Sequence, residues 1–173
     1  LIEKAQADNK TPLITRFGVT TGELTLGNIG SKRKIEYTVI GDAVNSGFRL
    51  EGLNKFYDTT ILVSEYTKQG AGDEFVFRYL DILRYKGKVT PVRIYELVGL
   101  KESVSAEKLN VIAEFEKALG FYQSKKFTEA LEIFKKLAEE GDKPSGAFIW
   151  RCEDFIKNPP SPEWNGVWVM KRK

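Results

Sequence analysis

The chain has 173 residues, 42% of them hydrophobic and 12% aromatic, enough for one domain with an appendage and a sizeable core. Its formal charge of +3 is spread along the chain, too weak and too scattered for a nucleic-acid groove. There is no histidine and one cysteine, Cys152, which excludes an internal disulfide, a Ser-His-Asp triad, a Cys-His pair and the usual zinc sites.

Any metal here would need carboxylate ligands. The lone cysteine fits a reducing, cytoplasmic setting. No apolar run reaches the roughly 18 residues of a membrane span, and the first residues do not read as a secretory signal. The chain opens on Leu1, and "LIEKAQADN" reads as the end of a helix stopped by Asn9 and Pro12. The expectation is that the chain begins inside a domain.

"LITRFGVTTGELTLGNIG" follows with two strand-like runs. Phe17 and Val19 alternate in the first and Leu24 and Leu26 in the second, with Thr21-Gly22 between, so a hairpin joining them is predicted. "SKRK" (31–34) is a polar connection to a third strand, "IEYTVIG". Asp42 is a suitable N-cap, and residues 42–56 read as a helix that Gly47 weakens. "TTILVSE" (59–65) reads as a short buried strand, "FVFRYLDILRYKGK" as one or two strands, and "TPVRIYELVG" as a last strand turning at Gly99.

The period turns helical after "KESVS" (101–105). Ile112, Phe115, Leu119 and Tyr122 are spaced three, four and three apart, and Phe127, Ala130, Phe134 and Leu137 repeat the pattern. Phe148, Cys152 and Phe155 predict a further helix, ended by "NPP". The division is therefore 1–100, mixed α and β, and 101–173, a helical tail.

Three stretches carry chemistry. Asn45 and Arg49 are four apart on the first turns of the predicted helix, about 40° from each other around its axis, so both reach one object. Both donate hydrogen bonds, and the guanidinium offers a planar fork suited to phosphate. The plain alternative is a surface Asn beside an Arg paired with Glu51 or another carboxylate. "YKGK" places Lys86 and Lys88 on either side of Gly87, either a cationic element or an ordinary turn with solvated lysines. "GNIG" (27–30) lacks the Gly-Lys-Ser/Thr ending of a phosphate-cradling loop and reads as strand and turn chemistry.

Taken in order, Gly-Asn-Ile-Gly, Tyr-Thr-Val-Ile-Gly-Asp, Val-Asn, Arg-Leu-Glu and Lys-Gly-Lys closely resemble the C-terminal half of the catalytic domain of the class III adenylate/guanylate cyclases, over residues 12–98. The resemblance implies an α+β fold: part of a ferredoxin-like, antiparallel-rich sheet with flanking helices. It implies that Asn45 and Arg49 stabilise the transition state as the ribose 3′-oxygen attacks the α-phosphate. Thr38, seven residues before Asn45, would contact the purine and favours ATP; the Val39 backbone and Val44 side chain would line the base pocket. Lys86 first, and Lys88 second, would contact the triphosphate. Mg²⁺ or Mn²⁺ is implied, with its aspartates upstream of Leu1, so Asp42 (a cap) and Asp81 (in a strand) are not ligands. Family sites lie at a head-to-tail dimer interface, so this chain holds half a site. Phe48, bulky where the family usually has small residues, is expected to pack inward.

The tail resembles a single tetratricopeptide hairpin at Ala118, Phe121, Ala130 and Phe134. It is expected to cap the catalytic part, with a peptide-binding or dimer-forming role as the alternative; Trp164 and Trp168 either anchor it or form an exposed contact. Three functions follow: an adenylate cyclase making cyclic AMP and pyrophosphate, a guanylate cyclase, or a cyclase-like module that binds nucleotide or a partner. A membrane would enter only through a missing N-terminal region.

Overall fold

A computed structural model describes residues 15–31, 33–85, 87 and 89–170. The predicted helix end at residues 1–9, Lys86 and Lys88 lie outside the described residues. Among the described residues, seven strands and five helices occur in the order β1 (Phe17–Val19), β2 (Thr25–Ser31), β3 (Lys34–Ile40), α1 (Asp42–Tyr57), β4 (Ile61–Ser64), α2 (Glu65–Gly70), β5 (Phe75–Arg84), β6 (Val92–Leu100), a 3₁₀ turn (Lys101–Ser103), α3 (Ala106–Gln123), α4 (Phe127–Glu139), α5 (Ser145–Lys157) and β7 (Trp168–Val169). No helix among the described residues is long and apolar enough to cross a membrane.

The main sheet has the order β1-β4-β6-β5-β7, with β1 parallel to β4, β7 parallel to β5, and antiparallel pairs between. The predicted hairpin of β1 with β2 does not form. Phe17, Gly18 and Val19 pair with Ile61, Leu62 and Val63 of β4 instead. β2 pairs antiparallel with β3, from Ser31 opposite Lys34 to Thr25 opposite Ile40. A Cβ at Gly30 would sit 2.0 Å from the Lys34 carbonyl oxygen, so the ribbon's tight end needs glycine there.

β5 carries a local irregularity with large consequences. Its pairing jumps from Tyr79 opposite Tyr95 to Asp81 opposite Ile94, leaving Leu80 as an extra residue. A bulge of this kind shifts the alternation of side chains by one. Arg78 and Asp81, three apart, therefore both face the C-terminal helices. Gly99, at φ 159, lies within β6 rather than at its end, and strand β4 stops at Ser64, whose hydroxyl accepts from the Thr67 amide to cap the short α2.

The eight positions read as apolar in α3 and α4 are all buried. Their core is continuous with Leu50, Leu53 and Tyr57 of α1 and Leu62, Leu80, Leu83 and Ile94 of the sheet. The change of periodicity near residue 100 is thus not a break in packing. Trp164 is in ring contact with Tyr122, Phe127 and Phe155, and Trp168 with Trp150 and Phe155, so both act as anchors.

Two buried ion pairs join the tail to β5. Arg78 donates to Asp142 at 2.6 Å and also to Glu96. Arg151 donates to Asp81 at 2.7 Å and to the Tyr57 hydroxyl at 3.0 Å, and Tyr57 donates to Asp81 at 2.5 Å. Cys152, beside Arg151 on α5, is buried, and burial pushes its thiol up to about 12 against the pull of the Arg151 charge. Ellman's reagent at pH 8 is therefore expected to leave Cys152 unlabelled in the folded protein and to label it fully in urea, read by mass spectrometry of its peptide. Rapid native labelling would show that α5 opens readily.

Candidate functional site

The turn between β3 and α1 sets the direction of the candidate pair. Gly41, in an extended conformation at φ 166, precedes the helix, and no side chain caps it. Asp42 is the first helical residue instead of the cap; its charge at the helix N-terminus suits the helix dipole. A Cβ at Gly41 would lie 2.9 Å from the Glu23 carbonyl oxygen, a tight approach that leaves little room for another residue. From there α1 runs unbroken through Gly47 to Tyr57.

The face of α1 toward the core is Leu50, Leu53, Asn54 and Tyr57. Asn54 ties the helix to its neighbours: its amide donates to the Phe17 carbonyl at 2.9 Å and accepts from the Thr59 hydroxyl at 2.9 Å. Asn45 lies on the exposed side and Arg49 at the boundary, half-buried. Phe48 does not pack inward. It is 73% exposed, because the helical rotation that buries Leu50 and Leu53 turns position 48 to solvent beside Asn45.

Arg49 is not paired with Glu51 or with another described carboxylate. Its guanidinium carbon lies 4.7 Å from the centre of the Tyr85 ring, a cation–π contact. Tyr85 follows directly on β5 and is half-buried. Burial pushes its hydroxyl up to about 12, against the Arg49 charge, so near neutrality the ring under Arg49 is a neutral phenol. Tyr85 was not among the residues singled out from the sequence; its place just before Lys-Gly-Lys was the one available signal. Gly87, at φ 82, has the left-handed conformation of a tight turn between the two lysines.

A cavity of about 500 Å³ opens beside this pair. Its wall includes Thr20, Asp42, Ser46, Tyr66, Tyr85 and Arg93, so it uses the adjoining face of α1 rather than Asn45 and Arg49 themselves. Val44 is half-buried on the same helix.

Thr38 and Val39 are elsewhere. They lie on β3, all seven residues of which are exposed. Thr38 stands opposite Gly27, whose missing side chain leaves that face open, and Val39 stands opposite Leu26 on the other face. Leu26, Ile35, Val39, Ile40 and Tyr37 (70% exposed) make an apolar ribbon without cover among the described residues. A two-stranded ribbon of this kind is marginal in water, and so large an apolar exposure marks an interaction surface.

The described residues do not fit a divalent cation. Asp81 is fully buried and taken up by Arg151 and Tyr57, and no described group of three or more carboxylates, cysteines or histidines is placed to hold a metal.

Residues 1–99 match the family model described as the adenylate and guanylate cyclase catalytic domain, and the chain belongs to that family. The terminal-differentiation specific adenylate cyclase of Dictyostelium discoideum is 35% identical over 149 residues, covering 83% of this chain and 7% of that protein. Coverage of that length runs beyond residue 100, so the similarity includes part of the helical segment. Adenylate cyclase 1 of Rhizobium meliloti (strain 1021) is 39% identical over 99 residues, 57% of this chain and 15% of that protein. The chain thus spans only a small part of these curated relatives. Among solved structures, the guanylyl cyclase Cya2 (31% identical, TM-score 0.46) and the adenylyl cyclase CyaB from P. aeruginosa (30%, TM-score 0.46) each cover 60% of this chain, which spans 51% and 52% of them.

Proposed function

We propose that this chain is the Asn/Arg-bearing half of an adenylate cyclase that converts ATP to cyclic AMP and pyrophosphate at sites shared between two subunits. The observation that carries it is the pair itself. Asn45 and Arg49 sit one turn apart on α1, and the Arg49 guanidinium lies over the Tyr85 ring. A ring offers the guanidinium no oxygen acceptor, so this cation–π contact leaves N–H donors available to an oxyanion.

In the proposed step the ribose 3′-oxygen attacks the α-phosphorus, its proton leaves, and the bond from the α-phosphorus to the bridging oxygen of pyrophosphate breaks. Asn45 and Arg49 donate to the oxygens on which charge grows, a contribution realised mainly in the transition state. Lys86 and Lys88 bear on the triphosphate, and Thr38, Val39 and Val44 on the base. Mg²⁺ or Mn²⁺, held by residues other than those described here, would activate the 3′-hydroxyl and bind phosphate.

The exposed ribbon supports a shared site. All of its residues on β3 are exposed, and its apolar faces call for a partner surface. We assign the helical tail a capping role because its apolar residues are spent on the common core, and we place the site on the cytoplasmic side of its cell.

The test uses the complete catalytic domain with its helical tail, supplied with Mn²⁺-ATP or Mn²⁺-GTP, with the product identified by chromatography. Cyclic AMP is expected from ATP, and Asn45→Ala and Arg49→Ala are each expected to lower kcat by about 10²–10³-fold, as loss of one oxyanion donor does. Cyclic GMP as the main product would favour the guanylate reading. No product from either nucleotide, in a folded dimer, would leave only a binding module.

A further inference from the structure

We propose that Tyr85 is a positioning residue for Arg49, and that the C-terminal strand β7 holds Tyr85 in place, so that the helical tail helps to set the geometry of the candidate site. The inference rests on reading Arg49 as a group that stabilises the transition state.

The geometry runs through three contacts. The Arg49 guanidinium carbon lies 4.7 Å from the Tyr85 ring centre. A long, flexible arginine samples many rotamers, and a ring beneath it narrows that freedom without offering its donors an oxygen acceptor. Tyr85 follows Arg84, the last residue of β5, and the end of β5 is where β7 attaches. Leu83 and Arg84 pair in parallel with Trp168 and Val169, and the Met170 amide donates to the Arg84 carbonyl at 3.0 Å.

β7 is in turn fixed by the tail. Trp168 lies 4.2 Å from the Arg151 guanidinium and stands edge-on to Trp150, both on α5. Arg151 grips Asp81 on β5, four residues before Tyr85. The segment leading into Tyr85 is therefore held at its middle by α5 and at its end by β7. Without β7 that end would be a strand edge, free to fray into the turn that follows.

The purpose of this arrangement is preorganisation. A misplaced guanidinium lowers kcat without weakening ground-state binding, whereas loss of a binding contact raises KM. That split separates positioning from a general structural role.

The experiment measures kcat and KM for ATP in the complete catalytic domain with its tail, together with melting temperature. Tyr85→Leu and Tyr85→Met fill the space without a ring; each is expected to lower kcat about ten-fold, with KM little changed and the fold retained. Tyr85→Phe keeps the ring and is expected to rescue kcat to within about threefold of the native value. Added to Arg49→Ala, Tyr85→Leu is expected to cause no further loss. Full kcat in Tyr85→Leu and Tyr85→Met, or the same loss in Tyr85→Phe, would overturn the proposal while leaving Arg49 its role. An Arg49→Ala enzyme with full activity would overturn the reading beneath it. A further ten-fold loss on top of Arg49→Ala would show that Tyr85 acts by another route.

Discussion

Arg151→Met is expected to destabilise the folded domain by about 3–5 kcal/mol, read as a lower urea midpoint at unchanged slope. Arg151 is fully buried and serves several neighbours at once. It donates to Asp81 and the Tyr57 hydroxyl, and its guanidinium carbon lies 4.2 Å from the Trp168 ring centre and 4.9 Å from that of Phe148. Its Nε finds no hydrogen-bond partner among the described residues, so the surrounding rings provide its remaining compensation. Methionine fills the volume but leaves Asp81 as a buried charge whose one cationic partner is gone. The cost comes from that orphaned carboxylate more than from the lost contact. Asp81→Asn added to Arg151→Met is accordingly expected to recover part of the loss. An unchanged midpoint in Arg151→Met would show that water reaches Asp81, and that the tail is not held by this pair.

Gly18→Ala and Gly47→Ala are expected to act in opposite directions although the two glycines face each other across one contact. A Cβ on Gly18 would fall 2.2 Å from the Gly47 carbonyl oxygen and 2.3 Å from the Glu51 amide nitrogen. Both are backbone atoms of α1, so β1 and the helix must separate. We expect a loss of about 3 kcal/mol and, because α1 carries Asn45 and Arg49, a fall in cyclase activity with it. A Cβ on Gly47 would meet Thr20 Cγ2 at 3.5 Å and the Gly18 carbonyl oxygen at 3.6 Å, ordinary contact distances. Alanine in a helix interior is then favoured over glycine by about 0.5–1 kcal/mol. Paired urea titrations check both; equal effects of the two changes would mean that β1 does not sit against α1 in this way.

The helical half of the chain was legible because helical order is local. The spacing of Ile112, Phe115, Leu119 and Tyr122 names a face before any partner is known, and those residues are buried together. The strands were legible as strands but not in their pairing. β1 was expected to pair with the run that follows it, yet its partner β4 lies beyond a 16-residue helix. Alternation says that a strand has a face to bury; it does not say against what. Phe48 shows the limit for single side chains. Its size argued for the core, but the rotation of α1 follows from Leu50, Leu53 and Tyr57, which leave it outside.

The site divides in the same way. The Asn45–Arg49 relation needs no more than a helix, so the sequence alone determined it, along with the residue types that suit phosphate and the cyclase-like order of motifs. Tertiary structure decided what surrounds them. The ring beneath Arg49 comes from Tyr85, 36 residues further along the chain and just past the end of β5. Asp81 faces the tail because Leu80 is an extra residue in β5, a feature of pairing with β6 that no local pattern records. The two-residue strand β7 exists because Trp150, Phe155 and Arg151 dock Trp168 beside Leu83. Local geometry is written in short spacings; register, bulges and docking depend on contacts whose loop-closure cost is met only when the whole core forms.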